Sequence, residues 1–460
     1  MSADALVCAF ERTVARRPDA VLVASPERRT TAAELDALTR AASRALASRL
    51  RPGALIGFSA PNGPAFLAGL LALLRADVRP VLLDAATPLT ECARILARLG
   101  AGGSVRAAAA WPSSASDFAH VDLPGRSAHE GPALVKLSSG SSSEVRGVLT
   151  PIESLLADVE AIHAGMGLVD HDVYLGHIPF SHSYGLAHLA VPALTRGVRV
   201  AVPASRAPFE GVRAVRALGV TVLPTVPGFL QALLRVALPP PLPPPVRLVL
   251  TAGAPLAPET ASRFREVYGR GVHVFYGASE CGGIAFDPEG TAGERGTVGR
   301  PLPGVRVDLA GPADCEEIEV RSPAVAARYL PEPDPRLGSG VFRTGDLGRR
   351  EGEEIRLSGR TDDLLNLRGR KVHPAEIERV LGQLPGVEDV VALGVPATER
   401  SEPLLRVVVA CPPGRLRQED VVAWCRAQLA EHKVPRSVIL LPALPRNARG
   451  KVDRAALRSL

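Results

Sequence analysis

The sequence predicts an α/β protein, with a large N-terminal domain of layered βαβ sheets and a β-barrel-like subdomain, followed by a small α+β C-terminal domain. Strand and helix patterns alternate through the first part of the chain, which is typical of βαβ units and a mostly parallel sheet. Alternating strands near Val305–Leu309 and Glu316–Val320 indicate the β-rich subdomain. The glycine- and charge-rich stretch Leu357–Glu378 has the composition of a joint. We therefore expect two domains, residues 1–361 and residues 362–460.

Length and hydropathy place the chain among globular proteins. Its 460 residues are enough for a large core and more than one domain. Charged residues such as Glu11, Arg12 and Arg16 stand near the N-terminus, where a signal peptide would have a long apolar run. The most apolar segment, Ala65–Leu74, is shorter than the about 20 residues that cross a bilayer. We therefore expect a cytoplasmic protein without a membrane span.

Cysteine spacing and charge exclude further classes. The six cysteines are scattered without a Cys-x-x-Cys pair, which argues against a zinc site or a disulfide framework. Cys281 alone stands beside a motif, and we expect it to be a small apolar wall residue. The net charge is +6, but the basic residues form no block, so we expect no nucleic-acid partner. A basic surface would still attract nucleotides or an acidic carrier protein.

The elements of the first domain follow in chain order. Thr31 and Glu34 form a capping box that predicts the start of a helix. A strand at Gly53–Ala60, a helix at Ala65–Ala76 and a strand at Pro80–Leu83 come next. Further strands are predicted at Ala133–Leu137, Val220–Pro224, Arg247–Leu250 and Val272–Phe275. Because ligands of such sheets bind beyond the carboxyl ends of the strands, we expect the chemistry in the loops there.

The second domain begins with a helix. Pro374 suits the first helical turn, and one helix face is formed by Ile377, Val380, Leu381 and Leu384. Strands are predicted at Val390–Leu393 and Leu404–Ala410, and a second helix at Val421–Leu429.

A serine-rich loop follows the strand Ala133–Leu137. Hydroxyls and backbone amides on a glycine-containing loop can cradle phosphate oxygens, with Arg146 completing the charge balance. The alternative is a flexible linker, which a serine run often forms. The candidate phosphate-binding residues are Ser138, Ser139, Gly140, Ser141 and Ser142.

Several later segments combine with this loop into one pattern. They are Pro-Phe-Ser-His-Ser-Tyr-Gly-Leu at 179–186, Thr-Ala-Gly-Ala-Pro at 251–255, Tyr-Gly-Ala-Ser-Glu at 276–280, Phe-Arg-Thr-Gly-Asp at 342–346, Gly-Arg-Thr-Asp-Asp at 359–363 and Arg-Asn-Ala-Arg-Gly-Lys at 446–451. In this order they resemble the adenylate-forming superfamily, which includes acyl-CoA synthetases, nonribosomal adenylation domains and luciferases. The resemblance spans nearly the whole chain.

The resemblance implies a nucleotide site. Glycine and alanine at 253–254 would pack on adenine, the tyrosine of Tyr276-Gly277 would stack on it, Asp346 would bind the ribose, and Arg360 would bind ribose or phosphate. The residues assigned to ATP or AMP outside the serine loop are therefore Gly253, Ala254, Tyr276, Gly277, Asp346 and Arg360.

The resemblance also implies catalytic roles. Ser279 would bind the α-phosphate and Glu280 would hold Mg²⁺, which prefers a carboxylate with phosphate oxygens. Arg146, in place of the usual lysine, would neutralise pyrophosphate through its bidentate fork. Lys451 would bridge the substrate carboxylate and the α-phosphate, and His182 would lie beside that carboxylate.

Pocket and hinge residues complete the implied site. The acyl pocket is assigned to Ser183, Tyr184, Gly185, Gly282 and Gly283. We expect the last two glycines to leave space for a sizeable acyl group. Asp362 would be the hinge about which a mobile small domain rotates, and Gly369 would lie at a tunnel for the attacking thiol.

The sequence thus predicts an ATP-dependent carboxylate–CoA ligase that uses Mg²⁺ and acts through an acyl-adenylate. Amino-acid-activating relatives carry an aspartate that pairs with the α-ammonium, whereas this motif offers Ser181 and His182. We therefore expect a fatty or aromatic acid without an α-amino group. One alternative replaces coenzyme A with the phosphopantetheine of an acyl or peptidyl carrier protein. Another is a nucleotide-binding relative without turnover, because Ser143, Val145 and Arg146 depart from the family's phosphate loop.

Overall fold

The computed structural model describes residues 5–138, 145–205, 207–235, 241–310, 316–361, 365–367, 370–372, 374–396, 403–446 and 452–460. The chain forms two compact units. The first comprises Met1–Asp308, Glu319–Thr344 and Arg350–Ile355, and the second comprises Leu309–Ile318, Gly345–Arg349 and Arg356–Leu460. A large and a small unit of mixed α/β structure are the architecture that the sequence predicts.

The second unit includes segments that precede residue 362, where the sequence analysis puts the domain boundary. Strand pairing explains this grouping, because the amide of Gly348 donates a 2.9 Å hydrogen bond to the carbonyl oxygen of Glu316. Such pairing between distant segments is not visible in chain order.

The helices are α1 (Ala5–Arg16), α2 (Ala32–Leu46), α3 (Pro64–Arg75), α4 (Leu89–Leu99), α5 (Ile152–Met166), α6 (Ser183–Gly185), α7 (Val191–Arg196), α8 (Pro208–Leu218), α9 (Pro227–Leu234), α10 (Pro258–Tyr268), α11 (Ala292–Arg295), α12 (Pro374–Gly382), α13 (Gln418–Gln428) and α14 (Arg454–Arg458).

The strands before residue 302 are β1 (Val21–Ala24), β2 (Arg29–Thr31), β3 (Leu55–Ser59), β4 (Arg79–Leu83), β5 (Gly103–Ala107), β6 (Phe118–Asp122), β7 (Ala133–Ser138), β8 (Arg146–Pro151), β9 (Val173–Leu175), β10 (Arg199–Ala201), β11 (Val222–Thr225), β12 (Leu248–Thr251), β13 (His273–Ala278), β14 (Gly282–Phe286) and β15 (Arg300–Pro301).

The later strands are β16 (Arg306–Ala310), β17 (Glu317–Arg321), β18 (Arg328–Leu330), β19 (Leu337–Gly338), β20 (Val341–Glu351), β21 (Glu354–Arg360), β22 (Leu365–Leu367), β23 (Arg370–Val372), β24 (Asp389–Pro396), β25 (Pro403–Ala410) and β26 (Ser437–Leu441).

Two large sheets form the first unit. The nine-stranded sheet has the order β15-β14-β13-β12-β11-β9-β10-β1-β2, and the seven-stranded sheet has the order β18-β8-β7-β4-β3-β5-β6. The pairs β3–β4, β3–β5 and β11–β12 are parallel, as the alternation of strands and helices predicts. The loop after β12 and the turn after β13 therefore begin at strand ends, where ligands of such sheets bind.

The start of α2 confirms the capping prediction. The Thr31 side chain accepts a hydrogen bond from the Glu34 amide, and the Glu34 carboxylate accepts one from the Thr31 amide at 2.8 Å. Two amides that the helix leaves without intrahelical partners are thereby satisfied. The predicted strands and helices of this region are also present, with ends that differ by one or a few residues.

The β-rich subdomain that the sequence predicts is a five-stranded sheet. Its order is β16-β17-β20-β19, and β21 also pairs with β20. This sheet carries Asp346 on β20 and Arg360 at the end of β21.

The second unit has its own hydrophobic core. Helices α12 and α13 cover the three-stranded sheet β24-β25-β26, and Cys425 is buried in this core, as predicted. Helix α12 ends at Gly382, so Leu384 is not part of its apolar face, contrary to the prediction from the sequence. A turn still buries Leu384, because its amide bonds to the carbonyl oxygen of Leu381 at 3.1 Å.

Candidate active site

The serine-rich loop is bounded by β7 and β8, whose register sorts side chains onto two faces. Lys136 is opposite Val148, which is in turn opposite Tyr329 on β18, so these three side chains share one face. Ser138 is opposite Arg146, two residues along each strand, and therefore belongs to the same face. The other face packs into a hydrophobic cluster through Val135, Leu149 and Leu330. Polar groups are thus concentrated on the face bearing Lys136 and Tyr329.

Arg146 is held by partners that the sequence analysis did not identify. Its Nη1 donates a 2.9 Å hydrogen bond to Asp334 Oδ2, and its Nη2 donates to the carbonyl oxygen of Glu332 at 3.4 Å. The guanidinium carbon lies 3.7 Å from the centre of the Tyr329 ring, in cation–π geometry. The predicted pyrophosphate ligand is therefore an ion-paired, stacked cation in this structure.

Asp334 is the anion of this pair. Burial opposes its ionisation, but hydrogen bonds from Arg336 and Arg146 outweigh that effect and hold the pKa of Asp334 well below its usual range. The carboxylate therefore stays charged at neutral pH and continues to compensate Arg146.

Glu280 lies in the turn between β13 and β14 and is buried. The hydroxyl of Tyr329 donates a 2.9 Å hydrogen bond to Glu280 Oε1. Burial, together with the nearby Glu280 charge, raises the pKa of Tyr329 far above its usual value, so the hydroxyl remains a donor. One oxygen of the predicted metal ligand is thus fixed by a phenol.

A buried cation and a buried carboxyl group lie behind this turn. Lys136 is only 2% exposed, and Asp158 on α5 is 5% exposed. Burial lowers the pKa of Lys136, an effect opposed by Asp158 and Glu280, and burial raises the pKa of Asp158. Neither residue belongs to a predicted site motif. The signal that could have identified Lys136 is a lysine within an otherwise apolar strand.

The structure corrects the interpretation of Gly282 and Gly283. A Cβ atom on Gly282 would overlap the carboxyl group of Asp158, and one on Gly283 would lie 2.6 Å from Leu302 Cδ1. The amide of Gly283 also donates a 2.8 Å hydrogen bond to Asp158 Oδ1. Close packing therefore explains glycine at both positions, in place of the free space that the sequence suggested.

Two predicted site residues from distant motifs meet directly. Ser183, at the start of α6, donates a 2.9 Å hydrogen bond from its Oγ to Ser279 Oγ. Gly185 allows this turn to pack tightly, because a Cβ atom there would overlap the carbonyl oxygen of Pro179. The structure thus joins the acyl-pocket motif to the motif assigned to the α-phosphate.

His182 has a carboxylate partner that the sequence analysis missed. Its Nε2 lies 3.2 Å from Oδ2 of Asp84. Asp84 is the residue that directly follows the buried strand β4. A polar residue at the carboxyl end of a parallel strand is the signal that could have identified Asp84. The pair is chemically suited to fix the orientation of the imidazole.

Tyr184 belongs to an aromatic cluster with His188 and Phe275. The Tyr184 ring centre is 4.7 Å from that of His188 and 6.0 Å from that of Phe275. His188 lies in the π-helical turn Leu186–Ala190, where its Nδ1 is 3.1 Å from the carbonyl oxygen of Tyr184. Burial lowers the pKa of His188 to about 3, so the ring is neutral at physiological pH.

The residues assigned to adenine lie in the loop after β12 and near the end of β13. Gly253 has a φ of +83°, a conformation that favours glycine, and both Gly253 and Ala254 are exposed. Tyr276 pairs with Ala285 and Gly277 with Gly283 across β14. The backbone conformation therefore accounts for glycine at 253, and the adenine assignment of these residues stays a prediction.

In the second unit, Asp346 and Arg360 contact each other. Arg360 Nη1 donates a 2.6 Å hydrogen bond to Asp346 Oδ1. The preceding Gly345 has a φ of +73°, and its amide donates to Glu317 Oε1 at 3.0 Å. This turn and the ion pair fix the position of Asp346, the residue predicted to bind ribose.

The remaining predicted site residues lie outside the described residues. They are Ser139, Gly140, Ser141 and Ser142 of the serine loop, the hinge residue Asp362, the tunnel residue Gly369 and the lysine Lys451. Their assignments stay predictions.

The chemistry of Glu280 fits a magnesium ion that is shared with substrate phosphates. Within the described ranges, no group of three or more His, Cys, Asp or Glu side chains could hold a metal ion. Mg²⁺ in nucleotide sites typically uses one or two carboxylates and takes its other ligands from phosphates and water. Of the two carboxylate oxygens of Glu280, Oε1 accepts a hydrogen bond and Oε2 has no partner among the described residues. Oε2 is therefore available as a metal ligand.

Comparison with known proteins gives consistent matches. The family model described as AMP-binding enzyme matches residues 10–330, and the AMP-binding enzyme C-terminal domain matches residues 376–451. The chain is 28% identical to an oxalate–CoA ligase of Arabidopsis thaliana, over 99% of this chain and 98% of that protein. It is 28% identical to a feruloyl-CoA synthase of an Amycolatopsis species, over 92% of this chain and 91% of that protein.

A solved structure shares the fold. ATP-bound MatB from Rhodopseudomonas palustris superposes with a TM-score of 0.87 at 23% identity, covering 100% of this chain and 99% of that one. No helix in the described part of the chain is long and apolar enough to cross a membrane.

Proposed function

Since this chain belongs to the AMP-binding enzyme family of the adenylate-forming superfamily, we propose that it joins a carboxylic acid to coenzyme A at the expense of ATP. The acid is fatty or aromatic and has no α-amino group. The CoA ligases among the relatives support this choice of thiol.

In the first step, a carboxylate oxygen of the acid attacks the α-phosphorus of ATP. The bond from the α-phosphorus to the oxygen that bridges it to the β-phosphate breaks, which releases pyrophosphate and leaves an acyl-adenylate. The reaction needs alignment of two anions and compensation of their charge. The site must therefore supply hydrogen-bond donors and cations at the phosphate.

Ser279 is the hydroxyl that would meet the α-phosphate, and Ser183 of the acyl-pocket motif donates a hydrogen bond to it. Their 2.9 Å hydrogen bond is the observation that carries the proposal, because it brings together two motifs separated by 96 residues. A hydroxyl pair of this kind can reorient, with Ser279 donating to a phosphate oxygen while it accepts from Ser183.

Glu280 would hold the magnesium ion, which when bound would neutralise phosphate charge. Tyr329 donates to one carboxylate oxygen and leaves the other without a partner among the described residues. Arg146 faces the same region from β8, where its charge is shared with Asp334. The Mg²⁺ assignment rests on the carboxylate chemistry.

His182 would position the acid. Its imidazole is oriented by Asp84, so the ring could hydrogen-bond the acid's carboxylate. Residues 181–183 include no carboxylate, and the nearby Asp84 is paired with His182, so we propose an acid without an α-ammonium group.

In the second step, the sulfur of coenzyme A attacks the acyl carbon and AMP leaves. We propose that rotation about Asp362 withdraws Lys451 after the first step and brings Gly369 to the thiol path. These three roles rest on the sequence resemblance.

The product mixture tests the proposal directly. The purified protein is incubated with ATP, Mg²⁺, coenzyme A and a panel of fatty and aromatic acids, and the products are identified by mass. We expect acyl-CoA and AMP in equal amounts with at least one acid. Thioester formation only on a phosphopantetheine-bearing carrier protein would favour the carrier alternative. Absence of AMP with every acid and both thiols would favour a relative without turnover.

A further inference from the structure

Tyr329 connects the strand β18 to Glu280 but belongs to none of the motifs assigned above. Its side chain is buried, and its hydroxyl donates the 2.9 Å hydrogen bond to Glu280 Oε1. A buried phenol that donates to a buried carboxylate fixes both groups, because each would otherwise be left unsatisfied. The contact therefore constrains the orientation of Glu280.

The backbone near Tyr329 holds the same glutamate. The amide of Ala326 donates a 2.8 Å hydrogen bond to the carbonyl oxygen of Glu280, and the amide of Ala327 donates to Leu149 at 2.9 Å. Strand β18 then pairs with β8, which places Tyr329 opposite Val148. Segment 326–329 thus holds Glu280 at its main chain and at its side chain.

Arg146 and Asp334 hold the face of the Tyr329 ring. The Arg146 guanidinium stacks 3.7 Å from the ring centre, and Asp334 fixes that guanidinium through a 2.9 Å hydrogen bond. Asp334 also bonds to Arg336, which adds a second cation to the same carboxylate. The chain of contacts runs from Asp334 through Arg146 and Tyr329 to Glu280.

We propose that Tyr329 is a positioning residue for nucleotide binding, which orients the Glu280 carboxylate toward the metal–nucleotide complex while Arg146 acts through the Tyr329 ring. This inference rests on the proposed function, because it assigns Glu280 to the metal. Under this inference Arg146, which replaces the family's usual lysine, supports the Tyr329 ring. Its ion pair with Asp334 is compatible with this role.

A merely structural role for the hydroxyl would have a different signature. Loss of a structural hydrogen bond would lower the melting temperature and leave the affinity of the folded protein for the metal–nucleotide complex unchanged. Loss of a positioning hydrogen bond weakens that affinity. Removal of a residue that hydrogen-bonds to a metal ligand typically lowers metal affinity 10- to 100-fold.

The test uses Tyr329→Phe, which keeps the ring under Arg146 and removes only the hydroxyl. Binding of the Mn²⁺ complex of α,β-methylene-ATP is measured by calorimetry, so the result does not depend on turnover. We expect the dissociation constant to rise at least about tenfold. The matched control is Tyr268→Phe, whose buried hydroxyl has no hydrogen-bond partner among the described residues and should leave binding unchanged.

A second variant, Asp334→Asn, removes the charge that holds Arg146 against the Tyr329 ring without altering Tyr329 or Glu280, and we expect it to weaken binding as well. If Tyr329→Phe does not fold, this variant decides the outcome. Binding within twofold of the unmodified protein, in whichever variant folds, would overturn the inference. If the unmodified protein itself fails to bind the complex, the proposed function fails instead.

Discussion

The guanidinium of Arg360 donates a 2.6 Å hydrogen bond to the carboxylate of Asp346, so two residues that the sequence assigns to the nucleotide are paired with each other. Asp346 lies on β20 and Arg360 ends the neighbouring strand β21. A carboxylate accepts several hydrogen bonds at once, so the pairing with Arg360 is compatible with the ribose assignment of Asp346. The pairing fixes the orientation of the Asp346 carboxylate.

Asp346→Asn should raise the KM for ATP about 10- to 100-fold, which corresponds to the loss of a hydrogen bond to a charged group. The KM for the acid should change little. Steady-state kinetics with each substrate varied in turn measures both. Asp308→Asn is the control, because Asp308 forms ion pairs with Arg306 and Arg321 and belongs to none of the assigned motifs. An unchanged KM for ATP in Asp346→Asn would contradict the ribose assignment.

Asp84→Asn should lower kcat/KM for the acid about tenfold while the KM for ATP stays constant, because His182 loses the partner that orients its ring. The matched control is Asp122→Asn, which removes the exposed carboxylate 3.9 Å from His120. Equal effects of Asp84→Asn on the acid and on ATP would mean that the pair has only a structural role.

Gly282→Ala should destabilise the protein, because the added Cβ atom would overlap the Asp158 carboxyl group at a position with a φ of +71°. Overpacking of this kind costs about 1–3 kcal/mol, in addition to the cost of the backbone conformation. The matched control is Gly304→Ala, which has a φ of +76° and no described atom near the new Cβ atom. Urea denaturation measures both free energies of unfolding. Equal losses would show that the position is not tightly packed.

His163 should make stability depend on pH. Burial lowers its pKa from 6.5 to about 4, so protonation is harder in the folded chain than in the unfolded chain. The stability that the neutral ring contributes is fully present above pH 6.5 and is lost as the pH falls through 6.5 toward 4. The full contribution is on the order of 3 kcal/mol.

His163→Leu should therefore flatten the free energy of unfolding between pH 6.5 and pH 4, as measured by urea denaturation at each pH. The other charged groups that act on this ring are Arg196, Asp170 and Asp172. His171→Leu, at an exposed histidine, is the control and should leave the slope unchanged. A slope unaltered by His163→Leu would contradict the assignment.

Local sequence signals predicted most of the fold. The Thr31–Glu34 capping box and the short apolar runs of strands such as β7 depend on neighbouring residues, so they can be identified without long-range information. The same holds for the motifs that contain Ser183 and Ser279, although their contact could be inferred only through the family resemblance.

Partners from distant segments could not be predicted in the same way. Asp84, Asp158 and Tyr329 contact site residues through the pairing and packing of separate strands and helices, and no spacing in the sequence encodes these contacts. The glycines at 282 and 283 show the same limit, because a small residue marks either free space or close packing. Tertiary contacts decided which of the two applies.

Acid-dependent exchange of labelled pyrophosphate into ATP tests the central claim most directly, because exchange requires reversible formation of an acyl-adenylate. The unmodified protein should exchange label only when a suitable carboxylic acid is present. Lys451→Ala should slow the exchange by at least about 100-fold, the scale for one charge-stabilising group. No exchange above background with any acid of a broad panel, or exchange at the same rate without an acid, would contradict the account.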